Sequence, residues 1–433
     1  MHIVIIGNGI TGITCALNIR KMDSTTEITV VSAESKHFFS RTALMYIYMG
    51  HMKYEHTKPY EDWFWEKNRI GLVQGYVKYI GSEFKVVTLE DGRILHYDKL
   101  VVASGSKPNK FGWPGEDLQG VQGLYSLQDL NGMELNTRGI SAAVIVGGGL
   151  IGIEMAEMII SRQIKVHVLV REKFYWSNVL PEEEALLVSR HISEHHINLL
   201  LETGLKEIRA DVSGKVKSIV TLSGEEIACQ FVGLTAGVSP QISFTENSGI
   251  STSRGILVNE FLETNVPNIY AAGDCAEFKD PEPDQPAIEQ LWYTGKMQAE
   301  ALAKTICGQR TPYQRGIWFN SAKFLDIEYQ TYGRILPQLK EDEGSFYWED
   351  PKGKKAFRAT YNKHDESITG FNFLGLRFRQ VIAEEWISSK KPVGECIREL
   401  KSGWFDPEFS KPYYPEILNA FLAHSDLKPL AIN

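Results

Sequence analysis

The sequence predicts an α/β protein in which one strand, glycine turn, helix, strand unit is used twice and is followed by an α+β domain. Three observations predict it. The apolar run Ile3-Val4-Ile5-Ile6 leads directly into Gly7-Asn8-Gly9-Ile10-Thr11-Gly12. The same order returns 140 positions later, where Ala143-Val144-Ile145-Val146 leads into Gly147-Gly148-Gly149-Leu150-Ile151-Gly152. From about Pro312 the glycine turns no longer fit this pattern, and aromatics become frequent: Trp318, Phe324, Tyr329, Tyr332, Phe346, Tyr347 and Trp348.

The bulk properties agree with a soluble globular protein. The chain has 433 residues, 43% hydrophobic and 23% charged, with a net charge of −8. At roughly 100–200 residues per domain, three domains are expected. The negative charge argues against nucleic acid or an anionic membrane as the main partner. No apolar run reaches the roughly 18 residues of a membrane span. No secretory leader is read at the start. Five cysteines, Cys15, Cys229, Cys275, Cys307 and Cys396, form neither a C-x-x-C nor a metal-ligand pattern. Reduced thiols in a cytoplasmic protein are the expectation.

Taken in order, residues 3–6 read as a strand buried on both faces, because the run is continuously apolar. A helix is expected over 13–19 and a second strand over 28–31. Short strands should fill 70–102, with turns at Gly81-Ser82 and Asp91-Gly92. The second unit repeats this with a helix over 153–160 and a strand over 166–170. Strand-like runs return at 230–238 and 256–274, and a helix is expected over 287–307. The expected domains are 1–113 with 245–312, then 114–244, then 313–433.

Both glycine turns carry the G-x-G-x-x-G spacing. The first glycine permits the tight turn, the second lets backbone approach a pyrophosphate, and the third lets helix and strand pack closely. The helix start behind them offers N–H groups and a partial positive charge to phosphates. Gly7, Gly9, Ile10, Thr11 and Gly12 therefore form one candidate site, and Gly147, Gly149, Leu150, Ile151 and Gly152 another. Glu34 lies 27 positions after Gly7, where a carboxylate can accept from ribose hydroxyls. In the second unit that position is Val170, followed by Arg171, Glu172 and Lys173. A missing acid beside an arginine tilts the second site towards NADPH, although Glu172 leaves NADH open.

With these motifs the chain resembles the FAD-dependent pyridine nucleotide-disulfide oxidoreductase superfamily. Its ferredoxin reductase, rubredoxin reductase, NADH oxidase and apoptosis-inducing-factor branches are the nearest. Four segments carry the resemblance in order: 7–12, 98–108 (DKLVVASGSKP), 144–157 and 263–274 (ETNVPNIYAAGD). It implies two Rossmann-like domains, one for FAD and one for NAD(P), and specific roles. Ala103, Ser104 and Gly105 match a segment that passes beside FAD. Gly273 and Asp274 match the turn and acid that bind its ribitol chain. Arg41 matches an arginine near the pyrophosphate and flavin, and Val77 a position whose backbone meets adenine. Glu289, Gln290, Leu291 and Trp292 resemble a helix start facing the flavin, with Trp292 equally readable as core. Gly237 is counted with the cofactor-contacting backbone.

The departures from that pattern are informative. No paired cysteines stand where disulfide reductases carry them, and no single cysteine follows Arg41. Glu154 matches a catalytic glutamate whose lysine partner in ferredoxin reductases is here Tyr46. Glu154 is then expected to be protonated, paired with Lys296 or another cation, or close to the nicotinamide. The resemblance implies electron transfer from NADH or NADPH through FAD, without a redox-active disulfide, to a small iron–sulfur carrier of ferredoxin or rubredoxin type. Alternatives are a redox-sensing NAD(P)H-binding flavoprotein and an oxygen-reducing oxidase. Segments 319–324 and 401–409 are candidates for a homodimer interface or for covering the flavin.

Overall fold

The computed structural model describes residues 1–283, 285–405 and 408–424. The chain forms two compact units. One comprises Met1–Gly112, Glu116–Gly139 and Leu234–Arg315, and the other Trp113–Gly115, Ile140–Gly233 and Gly316–Asn433.

The first unit is built on a parallel sheet. Its strands run in the order Ile269–Ala271, Lys99–Val102, His2–Ile6, Glu27–Ser32, Ile70–Gln74. Ile3, Val4, Ile5, Leu100, Val101 and Val102 are wholly buried, as the continuous apolar runs require. Each such side chain contributes roughly 1.5–3 kcal/mol. The helix Ile10–Met22 buries Thr11, Gly12, Ile13, Cys15, Ala16 and Ile19, and carries Arg20 and Lys21 in its last turn, where cations suit the dipole. It packs against the helix Trp292–Ile306. Strands Val77–Gly81, Val86–Leu89 and Ile94–His96 make a small antiparallel sheet.

The later helix begins at Trp292 rather than near 287. Residues 287–291 stay outside the helix for a side-chain reason. The Glu289 carboxylate is 3% exposed and is held by Gln298, Tyr313 and Arg315. Leu291, at φ −137°, is then the helix cap.

In the second unit, strands Asn198–Leu200, Lys165–Leu169 and Ala142–Val146 are parallel neighbours, with Phe231–Leu234 next in the sheet. The helix Leu150–Ile160 follows the second glycine turn and buries Gly152, Ile153, Met155, Ala156, Met158 and Ile159. The C-terminal α+β part is a five-stranded antiparallel sheet in the order Phe319–Phe324, Ile327–Gly333, Ile368–Leu374, Ala356–Asn362, Glu343–Glu349. Phe357, Ala359, Phe371 and Phe373 alternate along two adjacent strands and share one face. Phe378 stacks on Phe373 at 4.7 Å, and Trp386 of the helix Gln380–Ser388 closes the cluster. Of the aromatics conspicuous in the sequence, Tyr332 and Trp348 are buried in this cluster and Phe346 packs against it, Phe324 and Tyr329 are buried beside Trp176, and Trp318 and Tyr347 are half-buried. Segment 319–324 is the sheet's first strand. In segment 401–409, Trp404 is buried and Phe409 exposed, while Asp406 and Pro407 lie outside the described residues. No helix among the described residues is long and apolar enough to cross a membrane.

Candidate cofactor-binding sites

The first glycine turn is closed by backbone contacts that leave no room for side chains. Gly7 sits at φ +109° and donates its N–H to Val31 at 2.8 Å. A Cβ on Gly7 would lie 2.0 Å from the Ala103 carbonyl, and one on Gly12 would lie 1.9 Å from the Gly7 carbonyl. Gly9 differs. It caps the helix in extended conformation, no side chain caps the helix end, and a Cβ there would meet nothing within 4 Å. Open space therefore lies before an uncapped helix N-terminus, which fits a pyrophosphate. Asn8 steadies the turn, accepting from Ser32 at 2.9 Å and donating to the Ser35 carbonyl at 2.8 Å.

The expected residues of this site converge within the first unit. Thr11 fills the space against Gly273 and Gly295, where a Cβ would lie 2.5 Å from its hydroxyl. Ala103 bonds Ile6, and the Ser104 hydroxyl donates to the Gln241 carbonyl at 2.6 Å. Gly105 takes φ +72° and Gly237 φ +93°. Asp274 follows the strand Ile269–Ala271 and accepts on Oδ2 from Ser106 at 3.0 Å and Tyr125 at 3.3 Å. Gln290 donates in turn to the Ser106 hydroxyl at 2.8 Å. Burial pushes the Asp274 carboxyl above its ordinary range, against the opposing pull of Ser106, Tyr125 and Arg41.

Glu34 and Arg41 meet each other. The guanidinium grips both Glu34 oxygens, one at 2.8 Å, and lies 4.5 Å from the Tyr125 ring centre. The Leu127 N–H adds a second bond to Oε1 at 2.8 Å. A carboxylate has about four acceptor positions, so this pairing leaves capacity for hydroxyls. Val77 opens the small antiparallel sheet and is buried. Trp292 is 38% exposed, which removes the core reading. Glu289 points inward, away from solvent, and its carboxylate is occupied by its bonds to Gln298, Tyr313 and Arg315.

The second turn repeats the first. Gly147 takes φ +128° and bonds the Leu169 carbonyl at 3.0 Å. A Cβ on Gly148 would lie 2.9 Å from Val170. Gly149 caps the helix in extended conformation with nothing within 4 Å of its would-be Cβ, and the Tyr175 hydroxyl pins its carbonyl at 2.7 Å. Leu150 and Ile151 form the first helical positions. Val170 is fully buried and Arg171 exposed, whereas Lys173 lies 3.5 Å from Glu182.

Glu154, one turn into this helix, is half-buried. Burial, reinforced by Glu157, pushes its carboxyl up to about 7 against the opposing pull of Lys323. Lys323 bonds Glu157 at 2.7 Å. Lys296, considered above as a partner for Glu154, pairs instead with Glu300 one helical turn away at 2.6 Å. All five cysteines are free thiols. Cys275, next to Asp274, is buried and donates to the Val102 and Ala272 carbonyls at 3.4 Å, as a packing residue would.

Sequence reasoning missed Tyr125, Tyr175 and Lys323. Each reaches its site from a distant part of the chain, and no local pattern marks them.

Comparison with known proteins places the chain in a family. Residues 1–299 match the family model described as pyridine nucleotide-disulphide oxidoreductase. A nitrite reductase [NAD(P)H] of Bacillus subtilis is 29% identical over 333 residues, covering 76% of this chain and 40% of that protein. The chain thus spans about two fifths of that relative. A rubredoxin-NAD(+) reductase of Acinetobacter baylyi is 30% identical over 320 residues, covering 72% of this chain and 80% of its own. The crystal structure of a covalent putidaredoxin reductase–putidaredoxin complex superposes with a TM-score of 0.78 at 20% identity, covering 98% of this chain and 99% of that one. That likeness establishes the fold: two Rossmann-like domains with an α+β domain. FAD and NAD(P)H are the cofactors of this group. Two uncapped helix ends behind glycine turns, each facing open space, fit the two dinucleotides, and the chain belongs to the pyridine nucleotide-disulphide oxidoreductase family.

Proposed function

We propose that the chain is an FAD-dependent NAD(P)H oxidoreductase that delivers electrons to a small iron-containing carrier of ferredoxin or rubredoxin type, without a disulfide relay. The pair of open glycine turns in one chain carries the reading, because two dinucleotide sites imply transfer between two dinucleotides. The relatives named for rubredoxin and putidaredoxin support the acceptor class. The chemistry such a site would supply with FAD bound is hydride acceptance and electron release.

The protein's own residues bind and orient. The first turn, from Gly7 to Gly12, presents N–H groups to the pyrophosphate. Asp274, with both described bonds on Oδ2, offers Oδ1 to a ribitol hydroxyl. Glu34 receives ribose hydroxyls while Arg41 orients it. Val77 supplies backbone to adenine, Ala103, Ser104, Gly105 and Gly237 form backbone walls, and Gln290, Leu291 and Trp292 face the ring. Glu289 is a positioning residue. The second turn, from Gly147 to Gly152, holds the nicotinamide dinucleotide, and Glu154 keeps a proton near neutral pH at the head of its helix. Buried Cys275 takes no redox part, and free thiols throughout suit the cytoplasm.

Anaerobic mixing with NADH or NADPH in stopped flow tests the reductive half. Rapid bleaching near 450 nm followed by fast reduction of ferredoxin or rubredoxin is the expected result. Rapid turnover with oxygen and none with either carrier would overturn the acceptor assignment. Exposed Arg171 is assigned to a 2′-phosphate. Arg171→Ala is expected to lower kcat/KM for NADPH roughly 10- to 100-fold, the worth of a charged hydrogen bond, while NADH changes by less than about twofold. Equal losses with both nucleotides would remove that role.

A further inference from the structure

Within the second unit, at the far end of the helix Glu182–Glu194, two imidazoles converge on one carboxylate oxygen. His191 and its C-cap neighbour His195 lie one helical turn apart. Asp326, in the turn between the strands Phe319–Phe324 and Ile327–Gly333, places Oδ1 2.5 Å from His191 Nε2 and 3.3 Å from His195 Nε2. Their ligand atoms all lie within 4.8 Å of one another. None of these residues belongs to either glycine turn.

The orientation of the His195 ring is the telling feature. Its Nδ1 lies 2.9 Å from the His191 carbonyl, which only accepts, so Nδ1 carries the ring proton. Nε2, the ring nitrogen left over, faces the Asp326 carboxylate oxygen at 3.3 Å and is aimed into the space between the three side chains. A tetrahedral zinc ion with bonds of about 2.0–2.1 Å separates its ligand atoms by about 3.3 Å. The His195–Asp326 spacing already has this value, and the 2.5 Å His191–Asp326 contact would open to it on binding. A backbone carbonyl on the second ring nitrogen is also the usual means of aiming a metal-bound histidine.

We propose that His191, His195 and Asp326 form a site for a borderline divalent cation of the zinc type, with a fourth position left to water. In the metal-free protein His191 donates Nε2–H to Asp326, while Lys354 donates to its Nδ1 at 2.9 Å. On metal binding the ring proton moves from Nε2 to Nδ1, where Glu194 Oε2 stands 4.0 Å away, and Lys354 rests on Glu194 alone. No net proton is gained or lost by that ring. Asp326 and Glu194 against Lys354 leave a net charge of −1 around neutral imidazoles, and the helix C-terminus adds partial negative charge. The bound ion would clip the helix to the strand turn.

Zn2+ titrated calorimetrically into the FAD-loaded full chain, after treatment with chelator, tests the site. One equivalent is expected to bind, and thermal unfolding to move up by several degrees at saturation. Asp326→Asn and His195→Gln, both at accessible side chains, are each expected to weaken binding at least tenfold while leaving the chelator-treated melting temperature unchanged. Absence of a stoichiometric Zn2+ site, or the same affinity in parent and both variants, would overturn the proposal. Neither outcome bears on flavin reduction.

Discussion

Gly9→Ala is expected to leave the chain folded and strip it of FAD, whereas Gly12→Ala is expected to damage the fold itself. Both are single methyl additions in one six-residue turn, and the surroundings separate them. Gly9 has φ −71° and ψ −175°, a conformation alanine adopts freely, and no atom of the described residues lies within 4 Å of the new methyl group. Removing a glycine there stabilises by about 0.4–1 kcal/mol through the unfolded chain. The methyl instead occupies the space assigned to pyrophosphate, and FAD affinity should fall by about 100-fold or more, equivalent to about 2.7 kcal/mol. At Gly12 the methyl would lie 1.9 Å from the carbonyl of Gly7, a residue tied to the sheet by its N–H bond to Val31. Overpacking of this kind costs about 1–3 kcal/mol or more. Urea unfolding of the flavin-free proteins and flavin absorbance at 450 nm separate the effects. A Gly9→Ala protein purified with stoichiometric FAD would refute the assignment of that space. Gly149→Ala, also extended and open, is the matching change at the second site and should weaken NAD(P)H binding with FAD retained.

The second large effect concerns pH. The Glu154 carboxyl is raised by burial and by Glu157 from 4.5 to about 7. The folded protein thus holds a proton on Glu154 that the unfolded chain releases above about pH 4.5. Stability from the neutral acid is fully present below 4.5 and is lost as pH rises through about 7. Glutamine cannot ionise and escapes that loss. Glu154→Gln is therefore expected to match its parent near pH 4.5 and to exceed it at pH 8.5. At 1.36 kcal/mol per unit, tempered by partial exposure, the gain is about 1–3 kcal/mol, or a few degrees in melting temperature. Glu157→Gln, which removes the neighbouring negative charge, should shift the pH at which parent stability declines downward. A Glu154→Gln difference that is the same at both pH values would show that Glu154 does not titrate in this range.

Much of the architecture was legible because its determinants are local. Ile3-Val4-Ile5-Ile6 before Gly7 specifies a buried strand and tight turn within ten residues. The order of turn, helix and strand around Gly147 repeats it. Helix starts were placed late, at 13 and 153 rather than Ile10 and Leu150, because the cap glycines themselves begin the helices. The helix expected from 287 failed for a non-local reason: the Glu289 carboxylate is captured by Gln298, Tyr313 and Arg315, and apolar spacing carries no trace of that capture.

The same division holds at the sites. By itself the sequence determined the fold class and the two glycine turns, and it places no paired cysteines near Arg41, since each is a residue type at a short fixed spacing. Tertiary structure alone decided that Gly9 and Gly149 face open space while Gly7 and Gly12 do not. It also brought Tyr125 to Asp274, let Glu34 spend part of its carboxylate on Arg41, and made the C-terminal aromatics a core. It brought Asp326 to His191 and His195 across more than 130 positions. The physical reason is that backbone conformation answers to neighbours within a turn or two, whereas burial, charge pairing and open volume depend on side chains that only folding makes adjacent.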